Sequence, residues 1–86
     1  MKDNMYILVT PNSPVFESYI IQISEENNSK LGICTIAVRG SHDEDWERIK
    51  CSSKVVFNNM EEILAVVNPA NHVTLLTKEE AFFEIL

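Results

Sequence analysis

Eighty-six residues, 45% of them hydrophobic and 23% charged, supply enough apolar material for one core and too little chain for two. Only two glycines and three prolines exclude the disordered and low-complexity classes. A formal charge of −6, with a pI near 4.7, argues against direct binding to nucleic-acid backbones, which depends on many Lys and Arg contacts.

Residues 1–4 lead into an apolar run over residues 5–9 only, too short for a signal-peptide core or a membrane span. Residues 5–10 (MYILVT) are rich in strand formers and are stopped by Pro11-Asn12-Ser13-Pro14, whose two prolines fix φ and remove backbone donors. Residues 15–24 carry two periodicities. Val15, Phe16, Tyr19, Ile20 and Ile23 make a helical stripe, whereas Tyr19, Ile21 and Ile23 alternate with Ser18, Gln22 and Ser24. The β-branched isoleucines favour the extended reading. A turn is expected over residues 25–30 (EENNSK), where asparagines tolerate left-handed backbone.

Residues 31–39 alternate as a second strand, with Cys34, Ile36 and Val38 on one face and Thr35, Ala37 and Arg39 on the other. After a polar, acidic loop over residues 41–45, residues 46–57 alternate again, with Ile49, Cys51, Val55 and Phe57 opposite Arg48, Lys50, Ser52 and Lys54. Twelve residues exceed a common strand length, so Ser52-Ser53 marks a candidate bulge or break. Asn58 is the expected N-cap of a helix with Glu61 in capping-box position and Met60, Ile63, Leu64 and Val67 on its apolar stripe; Pro69 ends it at Asn68. Residues 72–76 read as a short strand or extended link, and Thr77-x-x-Glu80 opens a final helix through Leu86 that must pack through Phe82, Ile85 and Leu86.

These elements predict a single α+β domain over residues 1–86. The expected architecture is a small antiparallel meander of three or four strands, with one helix packed on one face and a short C-terminal helix. A helix over residues 13–28 would instead give a ferredoxin-like βαββαβ sandwich.

Chemistry-bearing residues assemble no motif. Cys34, His42, Cys51 and His72 lack metal-ligand spacing, and no nucleophile elbow, phosphate loop or Cys-x-x-Cys occurs, so no catalytic residue, metal or cofactor is expected. Paired glutamates at 25–26, 61–62 and 79–80 fall in a turn and two helix starts, where the helix dipole accounts for the latter two. Cys34 and Cys51 sit at inward strand positions, which predicts free, buried thiols in a reduced, cytoplasmic setting.

Two surfaces stand out. Asp43, Glu44 and Asp45 lead directly into Trp46, a residue type enriched in interface hot spots. Arg39, Arg48, Lys50 and Lys54 should form a basic stripe on the face opposite the first helix. Together they suggest a non-enzymatic binding or regulatory protein, such as an inhibitor of a larger protein, with Trp46 as anchor and the basic residues orienting the partner. Phe82, Phe83, Ile85 and Leu86 support the alternative of a homodimer joined through the C-terminal helix. The acidic run supports a third reading, a nucleic-acid mimic that blocks a nucleic-acid-binding protein.

Overall fold

The centre of the sheet is built by the two most continuous apolar runs in the chain. In the computed structural model, which describes residues 4–86, β1 is Met5–Pro11 and β2 is Ser18–Glu25, paired antiparallel with Ile7 opposite Ile21. Residues 1–3 of the amino-terminal reading lie outside the described part. β3, Leu31–Arg39, continues the meander. Its turn from β2 is a single 3-10 turn over Asn27–Ser29, with Asn28 and Ser29 left-handed (φ 65° and 62°) as the Asn-rich composition predicts.

The expected long strand over residues 46–57 is two short ones, β4 (Glu47–Arg48) and β5 (Val55–Phe57), both antiparallel to β3 along its outer edge. Ala37 pairs with Arg48 and Ile33 with Val55, so four steps along β3 face seven along its partner. Three extra residues are therefore looped out between Ile49 and Val55, a wider break than Ser52-Ser53 alone. α1 (Met60–Val67) then carries the chain back across the sheet to β6 (Asn71–Leu76), which pairs with β1, and α2 (Lys78–Ile85) ends the fold. The six strands form one antiparallel sheet in the order β4-β3-β2-β1-β6, with β5 also on β3. This corrects the expected count of three or four strands. The strand at residues 18–25 also rules out the helix that a ferredoxin-like sandwich requires.

The sheet is covered on both faces. Alternate residues of β1 and β2 (Ile7, Val9, Ile21, Ile23) pack with Ile63 and Val67 of α1, joined by Tyr19, Ile33, Phe57 and Val73. The intervening residues (Tyr6, Leu8, Ile20) pack on the other side with Ala37, Trp46, and Ala81 and Ile85 of α2. Two helices on opposite faces of an antiparallel sheet replace the expected arrangement with one solvated face.

A bulge in β3 changes which residues share a face. Thr35 pairs with Ile21 but Ala37 pairs with Ile20, which leaves Ile36 as the extra residue. Thr35 therefore lies on the α1 side with Ile21, whereas Cys34, Ala37 and Arg39 lie on the α2 side. Strict alternation had separated Cys34 from Ala37 and Arg39.

Both helices are capped by side chains. α1 starts one residue later than expected: Asn59 is the N-cap, its Oδ1 accepting from Glu62 N–H at 3.0 Å, and the Glu62 carboxylate accepts from Asn58 N–H at 2.8 Å. Adjacent Asn-Asn and Glu-Glu pairs make the two registers look alike in sequence. At α2 the expected box is present, with Glu80 N–H donating to Thr77 Oγ1 (3.1 Å) and Thr77 N–H to Glu80 Oε1 (2.9 Å). After α1, Asn71 ties the turn by donating from Nδ2 to the Val67 carbonyl at 2.6 Å.

That turn holds Ala70 at φ 61°, a conformation that costs an L-residue about 1–2 kcal/mol. Ala70→Gly should remove this penalty, and the extra freedom of glycine in the unfolded chain, about 0.4–1 kcal/mol, offsets only part of the gain. Urea denaturation should show a net stabilisation of about 0.5–1 kcal/mol. An unchanged or lower midpoint would count against the strain.

No helix among the described residues is long and apolar enough to cross a membrane.

Candidate functional site

The two cysteines are not free thiols. Cys34 on β3 and Cys51 in the looped-out segment are joined by a disulfide, with Cα atoms 5.8 Å apart and a sequence separation of 17. The register slip between β4 and β5 produces this meeting: it lifts Cys51 out of the ladder and over β3. Cys51 is exposed and Cys34 half-buried, so neither occupies the inward position that alternation assigns. The cytoplasmic expectation rested on reduced cysteines and loses that support.

The basic residues do not form one free stripe. Arg39 lies on the α2 side, its guanidinium carbon 4.6 Å from the centre of the Trp46 ring, and its Nη1 is 3.7 Å from Glu84 Oε1. Trp46 donates from Nε1 to the same carboxylate oxygen at 3.4 Å. An acid in the last turn of a helix opposes the helix dipole, and Arg39 offsets this for Glu84. Trp46 is half-buried against the α2-side core. The Arg39–Trp46–Glu84 group thus fastens the end of α2 to the edge of the sheet.

Lys54 is paired as well, with Nζ 3.5 Å from Glu26 Oε2 and 3.3 Å from Ser24 Oγ. Arg48 and Lys50 are exposed on the β4 edge and the segment that follows it. Of the C-terminal residues, Ile85 is buried within the chain and Phe82 meets Tyr6 edge to face, with centroids 5.8 Å apart. Phe83 and Leu86 remain open, at 79% and 91% exposure.

The acidic loop is a defined turn. Asp43 N–H donates to the Gly40 carbonyl at 3.1 Å, and its carboxylate folds back over Gly40, so that a side chain at position 40 would start 2.6 Å from Asp43 Oδ2 and make the exposed carboxylate swing aside. Asp43, Glu44 and Asp45 all face solvent, and Trp46 anchors the loop at its far end.

Beside it lies a feature that sequence periodicity concealed. Residues 15–17 were read into a strand, but β2 begins only at Ser18. Phe16 N–H donates to the Ser13 carbonyl at 3.4 Å across a turn with Pro14 in its second position, a site that proline's fixed φ suits. Val15 and Phe16 are consequently lifted into solvent, 76% and 64% exposed.

Phe16 borders two clefts. One, of about 250 Å³, is shared with Arg39, Gly40, Ser41 and Asp43 and so joins the apolar turn to the acidic loop. The other, of about 610 Å³, is lined by Pro11, Glu17, Tyr19, Ala70 and Asn71 among others. Burial pushes the Tyr19 phenol above its usual value, so it remains a neutral hydrogen-bonding group. The signal available in sequence was the Pro-Asn-Ser-Pro turn directly before an aliphatic–aromatic pair.

Among the described residues, no group of three or more His, Cys, Asp or Glu side chains is placed to hold a metal ion. No protein-family model matches the chain, and neither a curated protein nor a solved structure is significantly similar to it.

Proposed function

We propose that the chain is a non-enzymatic protein-binding module, and that it engages its partner through the loop end formed by residues 13–17 and 41–45. The observation that carries this reading is the exposure of Val15 and Phe16 beside Asp43, Glu44 and Asp45. An exposed aromatic next to an aliphatic, with charged residues at the margin, has the composition of an interface: an apolar centre that becomes desolvated and a polar rim. The matching partner presents an apolar pocket bordered by Lys or Arg. Phe16 fills the pocket, and the acids steer the encounter in a salt-dependent manner.

The roles at this end of the molecule divide in two. Asp43, Glu44 and Asp45 remain contact residues, whereas Trp46 and Arg39 hold the loop in place. A photo-crosslinking residue at position 15 identifies the partner, and the affinity of that partner for Phe16→Ala is then compared with wild type. Loss of a hot-spot aromatic should weaken binding by about thirty-fold, corresponding to roughly 2 kcal/mol. The thermal midpoint should hardly move, because Phe16 is mostly exposed. Unchanged affinity of Phe16→Ala for the crosslinked partner sinks the assignment.

A further inference from the structure

The two edges of the sheet are guarded very differently. On the β4–β5 side the edge carries Glu47, Arg48 and Lys54, is interrupted by the looped-out segment and is bridged by the disulfide, all of which obstruct further strand pairing. On the other side, β6 reads Asn-His-Val-Thr-Leu-Leu, with no Asp, Glu, Lys, Arg or Pro and no register shift against β1. No described strand pairs with its outer edge.

The direction of the β6 backbone groups follows from one hydrogen bond. Asn12 N–H donates to the Ala70 carbonyl at 3.0 Å, and the β1–β6 register runs unbroken from there to Tyr6 opposite Leu76. In an antiparallel ladder the bonded pairs alternate, so His72, Thr74 and Leu76 turn their N–H and C=O groups toward β1. Val73 and Leu75 turn theirs to the open edge. Leu75 also leaves its side chain 58% exposed on the α1 side, next to Val73, which packs on the first core.

We propose that a second copy of this chain pairs with that edge, β6 against β6 antiparallel about a two-fold axis at Thr74. In this register Val73 exchanges N–H···O=C bonds with Leu75 of the second copy, and symmetry supplies the reverse pair. All the outward groups of both residues are satisfied. On the α1 side, Leu75 of each copy covers Val73 of the other and continues the apolar cluster across the seam. On the α2 side, Thr74 meets its own equivalent and His72 lies opposite Leu76.

The charge pattern favours a second copy at this edge. Each chain carries a net charge of −6, so self-association needs a seam without acids, and β6 is uncharged throughout. The contact closes on itself, because a two-fold arrangement uses the same edge twice and leaves the guarded β4–β5 edges outermost. The seam is separate from the loop end carrying Val15 and Phe16, so neither assignment depends on the other.

Sedimentation velocity on the intact, oxidised chain across a micromolar concentration series should show a reversible species of twice 9.8 kDa. Leu75→Pro removes an outward N–H without touching the β1 ladder, and should return the monomer with an unchanged far-UV spectrum. Leu75→Lys, which keeps every backbone group, serves where proline perturbs folding and should also shift the equilibrium to monomer. Under mild oxidation Thr74→Cys should form a disulfide with its own equivalent, identified by peptide mapping apart from Cys34–Cys51. A monomer at every concentration, a dimer insensitive to both Leu75 variants, or a larger open assembly each overturns the proposal.

Discussion

Ile20→Ala and Ile63→Ala should each lower the unfolding free energy by roughly 2–5 kcal/mol, although the two residues lie on opposite faces of the sheet. Both side chains are completely buried, Ile63 on the sheet-facing side of α1 and Ile20 on the strand face that α2 covers. A domain of this length has about 4–13 kcal/mol of stability in total, so either change should lower the thermal midpoint by about 10–40 °C. The comparison is informative because a meander with one solvated face would put Ile20 in water, where truncation costs little. Additivity is better read from Ile20→Val and Ile63→Val, which cost about 0.5–1.5 kcal/mol each and leave the double variant folded. With the sheet backbone between them, the double variant should equal the sum to within about 0.5 kcal/mol. A loss below about 1 kcal/mol for Ile20→Ala would mean that α2 does not cover that face.

Much of the fold was legible because local signals and tertiary demands agree. β1, β2, β3, β6 and both helices follow from alternation, capping residues and Pro69, and the α2 box falls on Thr77 and Glu80 as expected. The covered second face was also encoded, in Tyr6-Ile7-Leu8-Val9 and Tyr19-Ile20-Ile21. A strand with one solvated face alternates, whereas these runs are apolar on both sides, as a central strand requires.

Other features were hidden for definite reasons. The bulge at Ile36 and the slip between β4 and β5 each add residues to one strand without changing its composition, so alternation continues in sequence after it has shifted in space. Facing assignments beyond such a point invert, which is how Cys34 was separated from Arg39 and how Cys51 was placed in a strand. The candidate site was half legible: Asp43, Glu44 and Asp45 announce a solvated loop, but the roles of Trp46 and Arg39 depend on Glu84, thirty-eight positions beyond Trp46. Val15 and Phe16 were concealed because an apolar pair next to a strand is indistinguishable from the strand until the turn closes.

Reduction of Cys34–Cys51, or the double change Cys34→Ser with Cys51→Ser, should lower the unfolding free energy by about 3 kcal/mol. The sequence separation is 17, and closing a loop of that size removes about this much free energy from the unfolded ensemble. In the native state the looped-out segment is already bounded by β4 and β5, both paired to β3, so the bridge adds little order there. Its effect should therefore fall mainly on the unfolded chain, and two measurements follow. The urea midpoint should drop, and the m-value should rise slightly because the unbridged chain expands further on unfolding. Because the change is in global unfolding, the most protected amides of β1, β2 and α1 should exchange about a hundred-fold faster, although none of these elements carries either cysteine. Because Cys51 is exposed, reductant should reach the bridge in the folded protein, and where a cell keeps thiols reduced the lower stability would be the operative one. Free thiols that react with an alkylating reagent in the air-oxidised native protein, or a midpoint unmoved by reductant, would remove the bridge and restore the expectation of two independent cysteines.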